Sequence, residues 1–303
     1  AQTPAPKGYK PFYISHFGRH GSRWHASTGV YTYSQALLRK AYEQDGLTEY
    51  GKKIYATVDG IAKRAWGRES ELSPQGVSEH RGIAERMYRG YKHLFKGKNA
   101  FVESRSSDVA RCVLSMAAFN ERLKELNPKL KIYRTTNDSI QVYIRPSYGR
   151  KSIYKEAGEV TNKLINEQIA KLIPQIAPRL FTERFIAEQD SAALFKPMRT
   201  LFYLAICIQD TEGDIRIDDL YTPQERALIW EQINKHRYAL YGPSTRWGDV
   251  ILGDGANLVR EIVRDADDIV AAAAEGRTPR TAFLRFGHDY TVISALAAMQ
   301  VVG

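Results

Sequence analysis

The chain has 303 residues, of which 43% are hydrophobic, 11% aromatic and 26% charged, a composition that excludes collagen-like, disordered and disulfide-scaffold classes. That length suits one large domain or a core with a second lobe, and it buries enough surface to fold without metal or disulfide staples. The 44 Lys and Arg against 34 Asp and Glu leave a formal charge of +10, which points to an anionic partner: nucleic acid, an acidic membrane surface or a phosphorylated small molecule.

The chain opens Ala1-Gln2-Thr3-Pro4-Ala5-Pro6, polar, Pro-rich and without an initiator Met. This reads as the mature end left by signal-peptide removal, so an exported, periplasmic or secreted protein is expected. Residues 11–17 have the aromatic and β-branched content of a strand, broken by Gly18-Arg19-His20-Gly21. Helical patterns follow at 32–45 and 48–65. Ser73-Pro74, an N-cap followed by proline at the first helical position, predicts a helix to residue 95. Residues 100–103 predict a short strand. Ser107 or Asp108 can cap the next helix, in which Val109, Cys112, Val113, Met116 and Phe119 run at helical spacing, with Arg111 one turn inside. Residues 131–134 predict another strand.

The stretch 137–250 reads as mostly helical and irregular, with prolines at 146, 174, 178, 197, 223 and 243. A helix at 255–275, a turn at 277–279, a strand at 282–286 and an apolar helix at 290–301 follow. Strands near both ends alternating with helices, around a helix-rich middle, predict an α/β core with a helical insertion. No run approaches the roughly 20 apolar residues that span a bilayer, so no membrane insertion is expected. Cys112 and Cys207 are too few for a disulfide framework or a metal set and read as buried free thiols.

Chemistry gathers at three strand-to-helix junctions, and in open α/β sheets ligands bind at the carboxyl ends of strands. Arg19-His20-Gly21-Ser22-Arg23 places an imidazole between two guanidiniums, beside a glycine that lets backbone approach closely. Guanidinium is a planar fork of donors suited to phosphate oxygens, and neighbouring cations favour the neutral imidazole that a nucleophile needs. Arg105-Ser106-Ser107-Asp108-Val109-Ala110-Arg111 opens a helix, a favourable place for an anion. Gly287-His288-Asp289 follows an apolar strand and offers a phosphate donor and a proton donor. Singly, these read as a solvated turn, a capped amphipathic helix and a helix N-cap. Jointly they supply Arg19, Arg23, Arg111, His20, His288 and Asp289.

With these residues the sequence resembles the histidine acid phosphatase branch of the histidine phosphatase superfamily. The family's Arg-His-Gly-x-Arg-x-Pro is similar to Arg19–His25, with His25 where proline is usual. Its Arg-Ser-x-Asp-Val-x-Arg segment is similar to Arg105–Arg111, and its closing His-Asp pair to His288–Asp289. Leu72-Ser73-Pro74-Gln75-Gly76 with His80 and Gly82 is a further family-like, structural stretch. Leu220–Glu225 and Tyr241-Gly242 resemble the inositol polyphosphate phosphatases, although those usually close with His-Ala-Glu.

The resemblance implies a mixed, mostly parallel sheet flanked by helices. The phosphatase core would be 1–136 and 251–303, and 137–250 an inserted helical cap that selects substrate. It also implies a phosphohistidine on His20, phosphoryl oxygens held by Arg19, Arg23, Arg111 and His288, and a leaving oxygen protonated by Asp289. Phosphoryl transfer asks mainly for positioning and charge stabilisation. Opposite unit charges 4 Å apart at an effective dielectric near 20 attract by about 4 kcal/mol, so three guanidiniums can do much of what a metal does elsewhere. The sequence shows no carboxylate cluster for a metal, and neither metal nor cofactor is expected.

Charge distribution bears on the leaving group. Residues 1–42 contain six Lys and Arg and no acid, and residues 126–155 hold seven against Asp138 alone. Arg145, Arg150, Lys151 and Lys155, with His25, are candidates for binding further phosphates of a polyphosphorylated small molecule such as inositol hexakisphosphate. The alternative is a phosphatase of sugar phosphates, simple monoesters or phosphoanhydrides. A phosphomutase would more typically take its acid from another segment, which His288–Asp289 argues against. A non-enzymatic polyanion binder is the distant alternative, and no aromatic-studded basic strand suggests a nucleic-acid partner.

Overall fold

A computed structural model of the chain describes residues 5–146, 151–207, 217–277 and 280–301. Strand β1 (Ile14–Arg19) leads into helices α1 (Gly29–Glu43), α2 (Glu49–Ala65), α3 (Pro74–Gly90) and the short α4 (Lys92–Lys96). Next come β2 (Phe101–Ser106), α5 (Ala110–Leu126) and β3 (Lys131–Thr135). Helices α6 (Asp138–Ile144), α7 (Lys151–Leu180), α8 (Glu183–Ala187), α9 (Ser191–Cys207), α10 (Pro223–Tyr241) and α11 (Gly248–Ala274) follow. Last are β4 (Ala282–Gly287) and α12 (Asp289–Ala298).

The four strands form one parallel sheet in the order β1-β4-β2-β3, so the last strand inserts between the first two. Every residue of β4 is buried, as expected of a central strand covered on both faces. Because side chains alternate along a strand, Val102, Ala282, Leu284 and Phe286 share an apolar cluster with Ala84 and Tyr88 of α3 and Met116, Phe119 and Leu123 of α5.

The alternate positions carry charge. Arg285 of β4 has no exposed surface and bonds Asp265 of α11 and Ser15 of β1. Arg280 joins Asp265 to Glu103, and Arg105 donates through Nε to Glu103 at 2.9 Å. All three guanidiniums lie over the Phe283 ring, at 3.9 to 4.7 Å.

Compactness divides the chain into two units. One comprises Ala1–Ser22, Gly76–Ser152 and Tyr241–Gly303 and contains the sheet. The other comprises Arg23–Gln75 and Ile153–Leu240 and is helical. In the helical unit α1 packs on α2 and α9, and Trp24, Leu38, Ile61, Ile169, Phe181 and Leu201 share one core cluster. These bounds differ from a split at residues 136 and 250. Residues 23–75 group with α7 and α9 because the buried faces of α1 and α2 join that cluster, whereas α6 packs on α11 and β4. Helix α7 runs through Pro174 and Pro178 where the sequence suggests interruptions. Burial of Ile165, Ile169, Leu172, Ile176 and Leu180 along it offsets the hydrogen bonds the prolines remove.

Candidate active site

Parallel register brings the three junctions to one edge of the sheet. Arg19 of β1 pairs with Gly287 of β4, and Ser106 of β2 with Phe286, so the strands end level. The pattern continues one residue further: His20 N–H donates to Gly287 O at 2.9 Å, and Ser107 N–H to Phe286 O at 2.9 Å. His20 and His288 therefore emerge side by side, their ring centroids 5.6 Å apart and their planes at 77°.

The loop after β1 is held by α3 and α5. His20 Nδ1 lies 2.8 Å from Gly21 O. A carbonyl only accepts, so Nδ1 carries the proton and Nε2 presents its lone pair. Gly21 N–H donates to Ser115 Oγ at 3.0 Å, and Ser115 Oγ donates to Arg111 O at 2.7 Å, which ties the loop to the first turn of α5. Ser22 donates to Glu79 of α3 through both its N–H (2.9 Å) and its hydroxyl (2.7 Å). The His80 ring hydrogen-bonds the Arg19 backbone and packs against Phe119 and Phe286. A side chain at Gly21 has no room, because its Cβ would lie 2.5 Å from Gly76 O.

Burial lowers the His20 pKa to about 3. The Gly21 hydrogen bond opposes that shift, and the charges of Arg19 and Arg111 and the neighbouring His288 add to it. His288 is lowered to about 4, first by burial and then by Arg111 and Arg145, with Asp289 acting in the opposite direction. Both imidazoles stay neutral well into the acid range. Arg19, Arg111 and Arg145 therefore act on this pair of histidines, and Arg145 reaches it from the end of α6.

Contrary to expectation, neither Ser107 nor Asp108 caps α5. Val109 is its N-cap residue, with no side-chain cap bond, and Arg111 lies in the first turn instead of one turn inside. The two polar side chains have other partners. Ser107 Oγ lies 3.3 Å from His288 Nε2, and Asp108 Oδ1 accepts from Arg145 Nη1 at 3.1 Å. His288 Nε2 also lies 3.8 Å from Sγ of Cys112, a free, buried thiol that donates to Gly287 O at 3.3 Å. Asp289 opens α12, and its Oδ1 accepts the N–H of Tyr290 at 3.0 Å.

Arg105 is directed to Glu103 and the Tyr143 hydroxyl (2.6 Å). Arg23 and His25 belong to the helical unit. There Arg23 Nη1 donates to Trp24 O at 2.9 Å, and the His25 ring faces Tyr31 and Tyr203. Burial, and then Arg23, lowers His25 to about 4. Lys155 is exposed and 3.9 Å from Glu159. Arg150 and the side chains of Lys151 and Cys207 lie outside the described residues. Among the described residues, no group of three or more His, Cys, Asp or Glu is placed to hold a metal ion, and no helix is long and apolar enough to cross a membrane.

Sequence reasoning did not find Glu79, Ser115 and Tyr290, which position or touch the site. Ser115 had a signal, since it lies one turn beyond Arg111 on the same face of α5. Glu79 and Tyr290 had none.

A sequence model described as histidine phosphatase superfamily (branch 2) matches residues 19–303. The chain belongs to this superfamily. Among curated protein sequences none matches. Solved structures share the fold. The multiple inositol polyphosphate phosphatase of Bifidobacterium longum in complex with inositol hexasulfate aligns at 19% identity with a TM-score of 0.76, over 100% of this chain and 77% of that one. The phytase from D. castellii aligns at 13% identity and a TM-score of 0.63, over 99% of this chain and 64% of that one. The phytase of Klebsiella sp ASR1 aligns at 12% identity and 0.52, over 96% and 73%.

Proposed function

We propose that the protein is a phosphomonoester hydrolase of the histidine acid phosphatase type, acting through a phosphohistidine on His20. The observation that carries this reading is the fixed tautomer of His20. Its Nδ1 proton is committed to Gly21 O, its ring is held neutral, and the charges of Arg19 and Arg111 act on it. In the first step Nε2 attacks phosphorus, the bond from phosphorus to the ester oxygen breaks, and the Asp289 carboxyl gives its proton to the departing alcohol. In the second, water attacks phosphorus, the N–P bond breaks, Asp289 takes the water proton, and inorganic phosphate leaves. Arg19, Arg111 and His288 meet the charge on the phosphoryl oxygens, and Arg23 carries the same assignment from the motif alone. His20→Ala is expected to abolish both turnover and acid-quench trapping of a labelled phosphoenzyme. Substantial remaining phosphatase activity would overturn the assignment.

The substrate we favour is polyphosphorylated, with inositol hexakisphosphate as its representative. The fold shared with a phosphatase solved with inositol hexasulfate and with two phytases supports this choice, as does the basic excess of the chain. Arg145 is proposed to meet a further phosphate, and the action of its charge on His288 supports this. Arg150, Lys151, Lys155 and His25 are proposed for further phosphates on charge and position in the sequence. A panel of inositol hexakisphosphate, sugar phosphates and aryl phosphates, run with and without chelator, separates this reading from a general acid phosphatase. Export to the periplasm or medium belongs to the same proposal, because a carboxyl that must begin protonated works best in an acidic compartment. Fractionation of the source cells tests it.

A further inference from the structure

The geometry points to Tyr290 as a positioning residue that fixes the plane of His288. The His288 ring lies flat on the Tyr290 ring, with centroids 4.9 Å apart and planes at 7°. Tyr290 is in turn stacked on Tyr241, at 5.4 Å and 27°. Its hydroxyl is hydrogen-bonded to Arg145, whose guanidinium also donates to Asp108 at 3.1 Å. On the other side His288 Nε2 meets the Ser107 hydroxyl at 3.3 Å. Ser107 and Asp108 are consecutive, so the contacts close into a ring: Ser107, His288, Tyr290, Arg145, Asp108.

Such a ring restrains what a single contact cannot. Ser107 fixes one atom of the imidazole and leaves the ring able to swing about it, whereas a stacked face removes that rotation. Offset-stacked aromatic pairs hold one another at centroid distances of roughly 4.5 to 7 Å, and the tyrosine is anchored by both Tyr241 and Arg145. The plane of His288 matters because its neighbour across the site is His20, and a donor aimed at a developing phosphoryl charge acts only along its own bond direction. The Tyr290 side chain thus acts through His288.

This inference rests on the phosphatase reading, and a double-mutant cycle on an aryl phosphate tests it. Tyr290→Leu is expected to lower kcat by about 10- to 100-fold, the scale of a displacement near 1 Å in a catalytic group, with little change in KM. Tyr290→Phe keeps the flat ring and restores kcat to within about threefold of wild type. In a His288→Ala background Tyr290→Leu adds less than about twofold, because the group it positions is gone. If Tyr290→Leu does not fold, Tyr290→Met carries the same comparison. An equal loss from Tyr290→Leu with and without His288, or wild-type kcat in Tyr290→Leu, would overturn the inference alone. A wild-type protein with no phosphatase activity would instead overturn the reading beneath it.

Discussion

Gly21→Ala tests how the motif turns into geometry. The added Cβ would lie 2.5 Å from Gly76 O, 2.7 Å from Gly76 Cα and 2.8 Å from Gly76 C, so the obstacle is backbone of α3 and no side-chain rotation relieves it. Ordinary contact begins near 3.4 Å, so the loop must retreat by the better part of an ångström. The retreat is resisted by Ser115, which accepts the Gly21 N–H, and by Glu79, which accepts twice from Ser22. Forced overpacking of this kind costs about 1 to 3 kcal/mol. His20 is the adjacent residue and takes up the same movement, and a displacement near 1 Å costs about 100-fold in rate. Urea denaturation with kcat on an aryl phosphate measures both effects, and the loss in kcat is expected to exceed the loss in substrate affinity. A Gly21→Ala variant with wild-type stability and wild-type kcat would refute the reasoning.

Asp289→Asn is expected to slow alkyl phosphates far more than aryl phosphates, whose leaving groups need little protonation; equal losses would remove Asp289 from the acid role. Stability should fall in acid. His20 and His288 titrate at about 3 and about 4 when folded but near 6.5 when unfolded, so the unfolded chain binds the extra protons in between. Their contribution is complete above pH 6.5 and is lost as pH falls toward 4 and 3, by on the order of 2 kcal/mol for each at pH 4.5. Urea midpoints at pH 7 and 4.5 check this, and a His288→Asn variant with an undiminished acid loss would count against it. Arg285→Met leaves Asp265 with Arg280 alone and is expected to cost about 3 to 5 kcal/mol; a change below about 1 kcal/mol would show that the buried network adds little.

The motifs of the candidate site were legible because each occupies a strand end, where short-range patterns of apolar run, glycine and helix start are strongest. The run 282–286 identified β4, and the parallel register then placed His288 beside His20. Helix caps were less legible. Ser107 and Asp108 are chemically good caps, yet His288 and Arg145 engage them in the folded chain, and no local rule weighs a partner 181 residues away. The unit boundaries were not legible either. Helices α1 and α2 are amphipathic, and an amphipathic face shows that it will be buried without showing against what. Arg285 was hidden inside an apolar strand, because its partners Asp265 on α11 and Ser15 on β1 come from other segments.

Positive charge serves two separate purposes in the sheet unit, and formal net charge merges them. Arg105, Arg280 and Arg285 share the carboxylates of Glu103 and Asp265 beneath the sheet, where they are structural. Arg19, Arg111 and Arg145 act at the sheet edge, where their charges disfavour protonation of His288, and those of Arg19 and Arg111 disfavour that of His20. The edge set has a consequence for the proposed catalysis. Cations gathered around neutral imidazoles repel one another, and a phosphoryl group entering among them relieves that repulsion while leaving the His20 lone pair available. Burial and these charges keep His20 unprotonated, and under the proposed function the same charges would draw in the phosphoryl group. The effect strengthens as water is excluded and the local dielectric falls.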